Sequence, residues 1–356
     1  MNQRTRYFLV GSALIVVVGL CTGVVAYYSG ALPARRGGGV AEFAYLPADA
    51  STIAYADVQD IMNSGFRQKL HELFPAGQEK ERMAAETGID IERDIDTVVA
   101  SMSGAGRERT LVLLRGRFDA ARIEGLVTQH GGTAADYQGT RVLTLSPSVA
   151  PAEPSAGPLT NLSTQTSGLA FLEPTLLALG PVELLQRAVD NARVHQDVTG
   201  NTELMKFLAS VPHTGNAWLV SRLDAATSAA NVPDVVRAQL PHVQWFAVSA
   251  DVGAGVSGVI RAQAIDAAAG DQLRTVVNGA LAAARMFGGA DPNLQMTLSS
   301  LQASGSGPTV EVSFNLTPEM FEQMQRMHSP AAAQGFGPLP VDPPHANQPA
   351  PAPTIH

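Results

Sequence analysis

Four carboxylates at alternate positions, Asp90, Glu92, Asp94 and Asp96, are the densest set of potential cation ligands in this chain of 356 residues. A calcium loop of the helix-loop-helix kind would use such acids, but it also needs Gly at its sixth position and Glu at its twelfth. Counted from Asp90, those places hold Ile95 and Ser101, and Ile89, Ile91 and Ile95 interleave with the acids. The segment therefore reads as a turn leading into a strand with solvated charges, and no metal is expected there.

Other chemistry-bearing residues are equally dispersed. The histidines, at 71, 130, 195, 213, 242, 328, 345 and 356, never fall within five residues of one another, and His71-Glu72 lacks the second histidine of a zinc protease. Ser103 in Ser-Gly-Ala-Gly and Ser304 in Ser-Gly-Ser-Gly are glycine-flanked, yet neither matches the Gly-x-Ser-x-Gly nucleophile elbow. Both fit hairpin turns, where glycine supplies positive φ. Neither Gly-Lys-Ser nor Gly-Lys-Thr occurs, so no phosphate loop is present and no cofactor is expected. Arg115 and Arg117 stand two apart on a strand expected over 110–118, which points both to one face. With Arg107 and Arg109 they make a candidate anion or partner patch; the competing reading is that they pair with neighbouring acids. Met320, Phe321, Met324 and Met327 form a stripe that reads either as an adaptable binding face or as core.

The elements that must position these residues follow from periodicity. A β-rich run at 52–56 precedes Asp57, which is placed to cap a helix carrying Val58, Ile61, Met62, Phe66, Leu70 and Leu73 inward. A further helix at 78–86, a hairpin of 97–102 with 110–118, a helix capped by Asp119 with Ile123, Leu126 and Val127 inward, and a strand at 139–145 come next. Residues 146–168, rich in Pro, Ser, Ala and Thr, read as a mobile loop. Strands at 169–172 and 176–180 lead to a helix with Pro181 at its first position.

From about Asn201 the order recurs. A strand at 216–223 takes the place of 52–56, strands at 243–250 and 258–265 form the next hairpin, and Asp266 caps a helix as Asp119 did, with Leu273, Val276, Val277, Ala280, Leu281 and Ala284 inward. Strands at 295–303 and 309–315 precede a last helix opened by Thr317-Pro318-Glu319. This predicts an α+β fold: a tandem duplication of an antiparallel sheet with helices on one face, in repeats 41–200 and 201–328, followed by a proline-rich disordered tail at 329–356.

The segment 7–28 carries no charged residue over 22 positions. As a helix it would be about 33 Å long, enough to cross the hydrocarbon core of a bilayer. Tyr7-Phe8 and Tyr27-Tyr28 bracket it as interfacial aromatics, and Arg4 and Arg6 precede it, which places the stub 1–6 inside and the bulk of the chain in the periplasm or outside the cell. A cleaved signal peptide is the competing reading, with small-residue sites at Val24-Val25-Ala26 and Ser29-Gly30-Ala31. Gly19 and Gly23 are spaced to let two such helices pack, and residues 29–40 read as a flexible linker.

The chain has 32 acidic and 24 basic residues. Outside the N-terminal region (four Arg) and the tail from Ser329 (one acid, Asp342), 31 acids face 20 bases, a net charge of −11 that argues against nucleic acid as a partner. The single cysteine, Cys21, lies in the apolar run, so the exported part has no internal disulfide. Leu46-Pro47-Ala48-Asp49-Ala50, followed by a β-run and a capped helix, and the cadence from Thr87-Gly88-Ile89-Asp90 to Asp94-Ile95-Asp96, resemble uncharacterised bacterial envelope proteins with one N-terminal span. That resemblance implies a location and no activity. The expectation is a membrane-anchored binding or scaffold protein without catalysis, its partners the bilayer and another envelope protein or an apolar ligand; the alternative is an envelope hydrolase whose site assembles only in three dimensions.

Overall fold

The computed structural model describes residues 41–67, 90–103, 109–144, 167–211, 215–223, 243–287 and 298–318. Its strands are β1 (Thr52–Asp57), β2 (Ile95–Met102), β3 (Thr110–Gly116), β4 (Thr133–Tyr137), β5 (Thr140–Thr144), β6 (Ser167–Glu173), β7 (Leu176–Pro181), β8 (Ala217–Arg222), β9 (Val243–Val252), β10 (Val256–Ala264), β11 (Gln302–Ser304) and β12 (Thr309–Leu316). Its helices are α1 (Val58–Met62), α2 (Ile91–Asp94), α3 (Ala120–Gln129), α4 (Val182–Val194), α5 (Thr202–Ser210) and α6 (Ala267–Phe287), with 3-10 turns at Glu42–Tyr45 and Val198–Gly200.

All twelve strands join one antiparallel sheet, in the order β11-β12-β10-β9-β8-β1-β2-β3-β7-β6-β5-β4. β1 pairs with β8 in the seam between the N-terminal and C-terminal parts of the chain, with Tyr55 opposite Trp218 and their rings stacked 5.7 Å apart. Outward from that seam the order is β1-β2-β3-β7-β6-β5-β4 one way and β8-β9-β10-β12-β11 the other.

Helices cover both faces of the sheet, not one. Leu184, Leu185 and Ala188 of α4 and Leu204, Phe207 and Leu208 of α5 share a core with Tyr55, Val99, Leu113, Val142 and Ala178. Ile123 and Val127 of α3 instead pack with Leu143, Leu169 and Leu177, the alternate residues of the same strands. Leu281 of α6 packs with Val312 and Phe314. Register carries Val312 across Ile260, Val248, Leu219, Ala54, Ala100 and Val112 to Leu179, so α6 lies on the α3 side. The sequence cause is visible in β7: Leu176, Leu177 and Ala178 are all buried, the continuous apolar run of a strand covered on both faces.

Local departures have local causes. α1 stops at Met62, with Asn63 as its C-cap, so Phe66 belongs to a separate helical segment that begins at Gly65; Leu70 and Leu73 lie outside the described residues. Asp57 precedes α1 but makes no side-chain cap; it accepts instead from the Tyr55 hydroxyl at 3.0 Å. Asp119 and Asp266 do cap their helices, accepting from the backbone N–H of Arg122 and of Ala269. Pro181 ends β7 and precedes the first helical residue by one. β4 and α5 have no counterpart in the expected elements, residues 298–300 are helical where a strand was expected, and Val276 is 57 % exposed rather than inward. The run 7–28, the linker, the helix at 78–86, nearly all of 146–168, the last helix after Pro318 and the tail lie outside the described residues. Among the described residues no helix is long and apolar enough to cross a membrane.

Candidate functional site

The densest polar cluster is built on a strand position that should be apolar. Leu111, Leu113 and Arg115 alternate on one face of β3; the two leucines are fully buried, and Arg115 continues their row. The 3-10 turn Glu42–Tyr45 packs against this end of the sheet, and Glu42, 5 % exposed, accepts from Arg115 Nε. Arg115 Nη1 donates to Glu173 Oε2 at 3.0 Å and to Thr175 Oγ1 at 3.3 Å, while the Tyr45 hydroxyl donates to Glu173 Oε1 at 3.0 Å. Across the sheet, Asp57 and Arg115 both face Thr97, which brings the Tyr55–Asp57 pair into the same band.

The electrostatics follow from this geometry. Burial works against the Arg115 charge, but bonds to Glu42 and Glu173 hold its pKa above the ordinary value. The bond from Arg115 lowers Glu173, against the opposing effect of burial. Burial, then the Glu173 carboxylate, pushes the Tyr45 hydroxyl up to about 12, and burial with Asp57 raises Tyr55 as well.

A second cluster fixes the adjoining segment. Asp49 accepts from Arg109 Nη2 at 2.7 Å and Arg187 Nη2 at 2.9 Å, with Ser103 Oγ at 3.4 Å. Burial opposes the Asp49 charge, yet the two guanidiniums hold its pKa below the ordinary value. Around it, Leu46 O accepts from Val198 N at 3.0 Å, Pro47 bridges to Asp197, and Asn201 Nδ2 reaches Ala48 O and Ala50 O at 3.3 and 3.4 Å. Leu46 itself is fully buried. The Leu46-to-Ala50 segment is thus a strap held by Asp197, Val198 and Asn201 along its length and by Arg109 and Arg187 at Asp49.

Of the expected arginine patch, Arg107 lies outside the described residues and the rest do not converge. Arg109 serves Asp49, Arg115 serves Glu42 and Glu173, and Arg117 stands 4.0 Å from Asp96. Asp96 also accepts from Gln59, on α1, so Arg115 and Arg117 reach different partners. The shared face fails because β3 ends at Gly116 and a bulge shifts the β2–β3 register between Ile95 and Thr97. The acid run is a capped helical turn: Asp90 accepts from Glu92 N at 3.0 Å, Asp94 accepts from Asp90 N at 2.8 Å, and Glu92 pairs with Arg67. No group of metal-ligating side chains occurs among the described residues. His130 bonds Leu126 O, and His195 ends α4 at φ 55°; the other histidines, Gly19, Gly23 and the Met320–Met327 stripe lie outside the described residues.

Sequence reading missed Glu42, Tyr45, Asp49, Glu173 and Arg187. The signal for them was Arg115 itself, a charge on the buried parity of a strand, which requires a partner carboxylate. A partly open hollow of about 290 Å³, lined among others by Gly215, Ser249, Asp251, Ser257, Val259 and Phe314, has Asp251 as its one titratable wall residue among those described. In both clusters the guanidiniums and carboxylates bond one another, Arg115 with Glu42 and Glu173, Arg109 and Arg187 with Asp49. What these groups do is hold the segment 42–50 to β3, β6 and α4.

No family model matches this chain, and no curated protein matches it. Among solved structures, one described as "Structure of crystal form I of TP0453" is similar over 82 % of this chain and 100 % of that one, at 10 % identity and a TM-score of 0.44. A likeness at that level carries no argument about function.

Proposed function

We propose that this is a membrane-anchored, extracytoplasmic protein that binds or scaffolds and performs no catalysis, its partner another envelope protein or an apolar ligand. The observation that carries the reading is the double clamp on 42–50, where Arg115 bonds Glu42 and Arg109 and Arg187 bond Asp49. A tether is useful only if it ends in something rigid. The linker 29–40 spans at most about 40 Å fully extended, and the chain beyond it enters the sheet through this clamp. An anchor at 7–28 with its N-terminus inside, followed by two α+β repeats meeting at the β1–β8 seam, gives a broad sheet held close to a bilayer. Three consecutive strands running outward on each side of that seam, β1-β2-β3 and β8-β9-β10, support a tandem duplication.

Alkaline carbonate extraction of native membranes tests the anchor: the full chain should remain in the membrane fraction with Met1 to Arg6 still attached, and the domain should be digested by protease added from outside. Recovery of a soluble form cleaved after Ala26 or Ala31 would sink the tethered reading. Photocrosslinking from exposed positions on the sheet should then return one reproducible partner or lipid. Stoichiometric labelling of a single serine by a fluorophosphonate would instead establish the hydrolase alternative.

A further inference from the structure

The two ends of the sheet are unlike. At one end β11 has only three residues, and Ser313 Oγ already reaches Gln302 O at 3.4 Å. At the other, β4 is a full five residues with no proline, no lysine and no bulge against β5, and Asp136 is its single charge. Its pairing fixes which backbone groups are spare. Gln138 and Gly139 both have positive φ, at 52° and 81°, which makes a two-residue type I′ hairpin turn. The residues flanking such a turn, Tyr137 and Thr140, form a hydrogen-bonded pair, and so by alternation do Ala135 with Val142 and Thr133 with Thr144. The N–H and C=O of Ala134 and Asp136 therefore point away from β5, and among the described residues they have no other backbone partner.

We propose that this edge is a self-association surface: β4 pairs antiparallel with β4 of a second copy, centred on Ala135. The strand is complementary to itself in that register. Ala134 faces Asp136 of the copy and Asp136 faces its Ala134, so both outward-pointing residues exchange N–H···O bonds in two reciprocal pairs. Ala135 faces Ala135, with no bulk to hold the strands apart. Centring the pair one residue later would set Asp136 against Asp136, and like charges directly opposed are unfavourable. Asp136 also leaves the edge clear, because its Oδ1 turns back to accept from Gly139 N at 3.0 Å. The twelve-stranded sheet would then continue without a break into its copy.

The Ala135 pair is a non-hydrogen-bonded site, where Cα atoms lie about 4.5 Å apart, inside the range a disulfide accepts. The full-length chain carrying Cys21→Ser and Ala135→Cys, in detergent under mild oxidation, should form a covalent dimer at least tenfold more readily than the chain carrying Cys21→Ser and Thr133→Cys. Thr133 is exposed like Ala135 but faces Tyr137 of the copy, not itself. Equal yields at the two positions, or no dimer at either, would overturn the proposal. Adding Ala134→Pro removes an outward N–H that β5 does not use and should lower the Ala135→Cys yield at least tenfold. Hydrogen exchange of peptides covering 133–137 keeps the proposal testable even if that proline variant misfolds. Protection lost on hundredfold dilution supports pairing between copies, whereas protection unchanged by dilution means that the chain covers its own edge, for instance with residues 145–166, and refutes it.

Discussion

Arg115 is the residue whose removal should matter most. Glu42 is 5 % exposed, and its partner supplies the compensating charge. Breaking a buried pair typically costs 3 to 5 kcal/mol. Here Arg115 and Glu173 side chains are 26 % and 37 % exposed, so screening lowers the expected loss for Arg115→Met to about 2 to 3 kcal/mol. Urea denaturation should show that loss, and adding Glu42→Leu should recover part of it, because no lone carboxylate then remains buried. The same cluster sets two pH limits. Glu173 has its pKa lowered from 4.5 by Arg115, so its contribution is complete above about pH 4.5 and is lost as acid passes through the lowered value. Tyr45 has the opposite sign: raised from 10.0 to about 12, it contributes fully below pH 10 and loses that contribution as pH climbs from 10 to 12. Tyr45→Phe should flatten this alkaline limb while costing about 1 kcal/mol at neutral pH. The cluster was half legible in the sequence. Arg115 stands out in the sequence as one arginine of a patch, but its carboxylates lie 73 and 58 residues away, and only the fold says which acids come to meet it.

At the scale of elements, two glycines with empty surroundings separate backbone conformation from packing. A Cβ at Gly139 or at Gly125 would meet nothing within 4 Å, but Gly139 has φ +81° while Gly125 lies inside α3. Gly139→Ala should therefore destabilise by about 1 kcal/mol through left-handed strain, and Gly125→Ala should stabilise by about 0.5 to 1 kcal/mol through lower chain entropy. Thermal melts of the two variants should move in opposite directions. The contrast also explains which elements could be read in advance. β1, β2, β3 and β7 announce themselves by β-branched or apolar runs, and Asp119 and Asp266 by their caps. β4 has the sequence Thr-Ala-Ala-Asp-Tyr, with Thr133, Ala135 and Asp136 exposed, so it carries almost no hydrophobic signal. Its turn is Gln-Gly rather than Asn-Gly, and Gln138 keeps positive φ because Asp190 and Arg193 of α4 grip its side chain at 2.7 and 2.6 Å. Such long-range support leaves no local mark. α5 did have one: Asn201 caps it by accepting from Leu204 N at 3.2 Å, and Leu204, Phe207 and Leu208 keep helical spacing. Taking Asn201 as the start of a new repeat concealed it.

For the molecule as a whole, the decisive contact is the seam between β1 and β8. Two halves that merely sat side by side would unfold independently, but here the seam lies inside a continuous sheet. Trp218, 5 % exposed, stacks on Tyr55 across it and meets Phe43 edge-on at 6.4 Å, so the 3-10 turn Glu42–Tyr45 rests on the first strand of the second half. Phe207 of α5 stacks on Trp245 of β9 at 6.0 Å, tying a helix of the face-sharing core to the strand beyond. The burial of Trp218 against Tyr55 and Phe43 couples the halves more strongly than a polar interdomain contact would. Both tryptophans lie in the second half, which makes their fluorescence a reporter for it, while far-ultraviolet circular dichroism reports the whole chain. One cooperative transition is expected, with the two urea midpoints coinciding to within about 0.3 M. Trp218→Ala, which empties the seam, should cost about 3 to 5 kcal/mol. If it also pulls the two midpoints apart, the seam is what makes the halves one folding unit; midpoints already separate in the unaltered chain would mean that the sheet is continuous in geometry but not in energy.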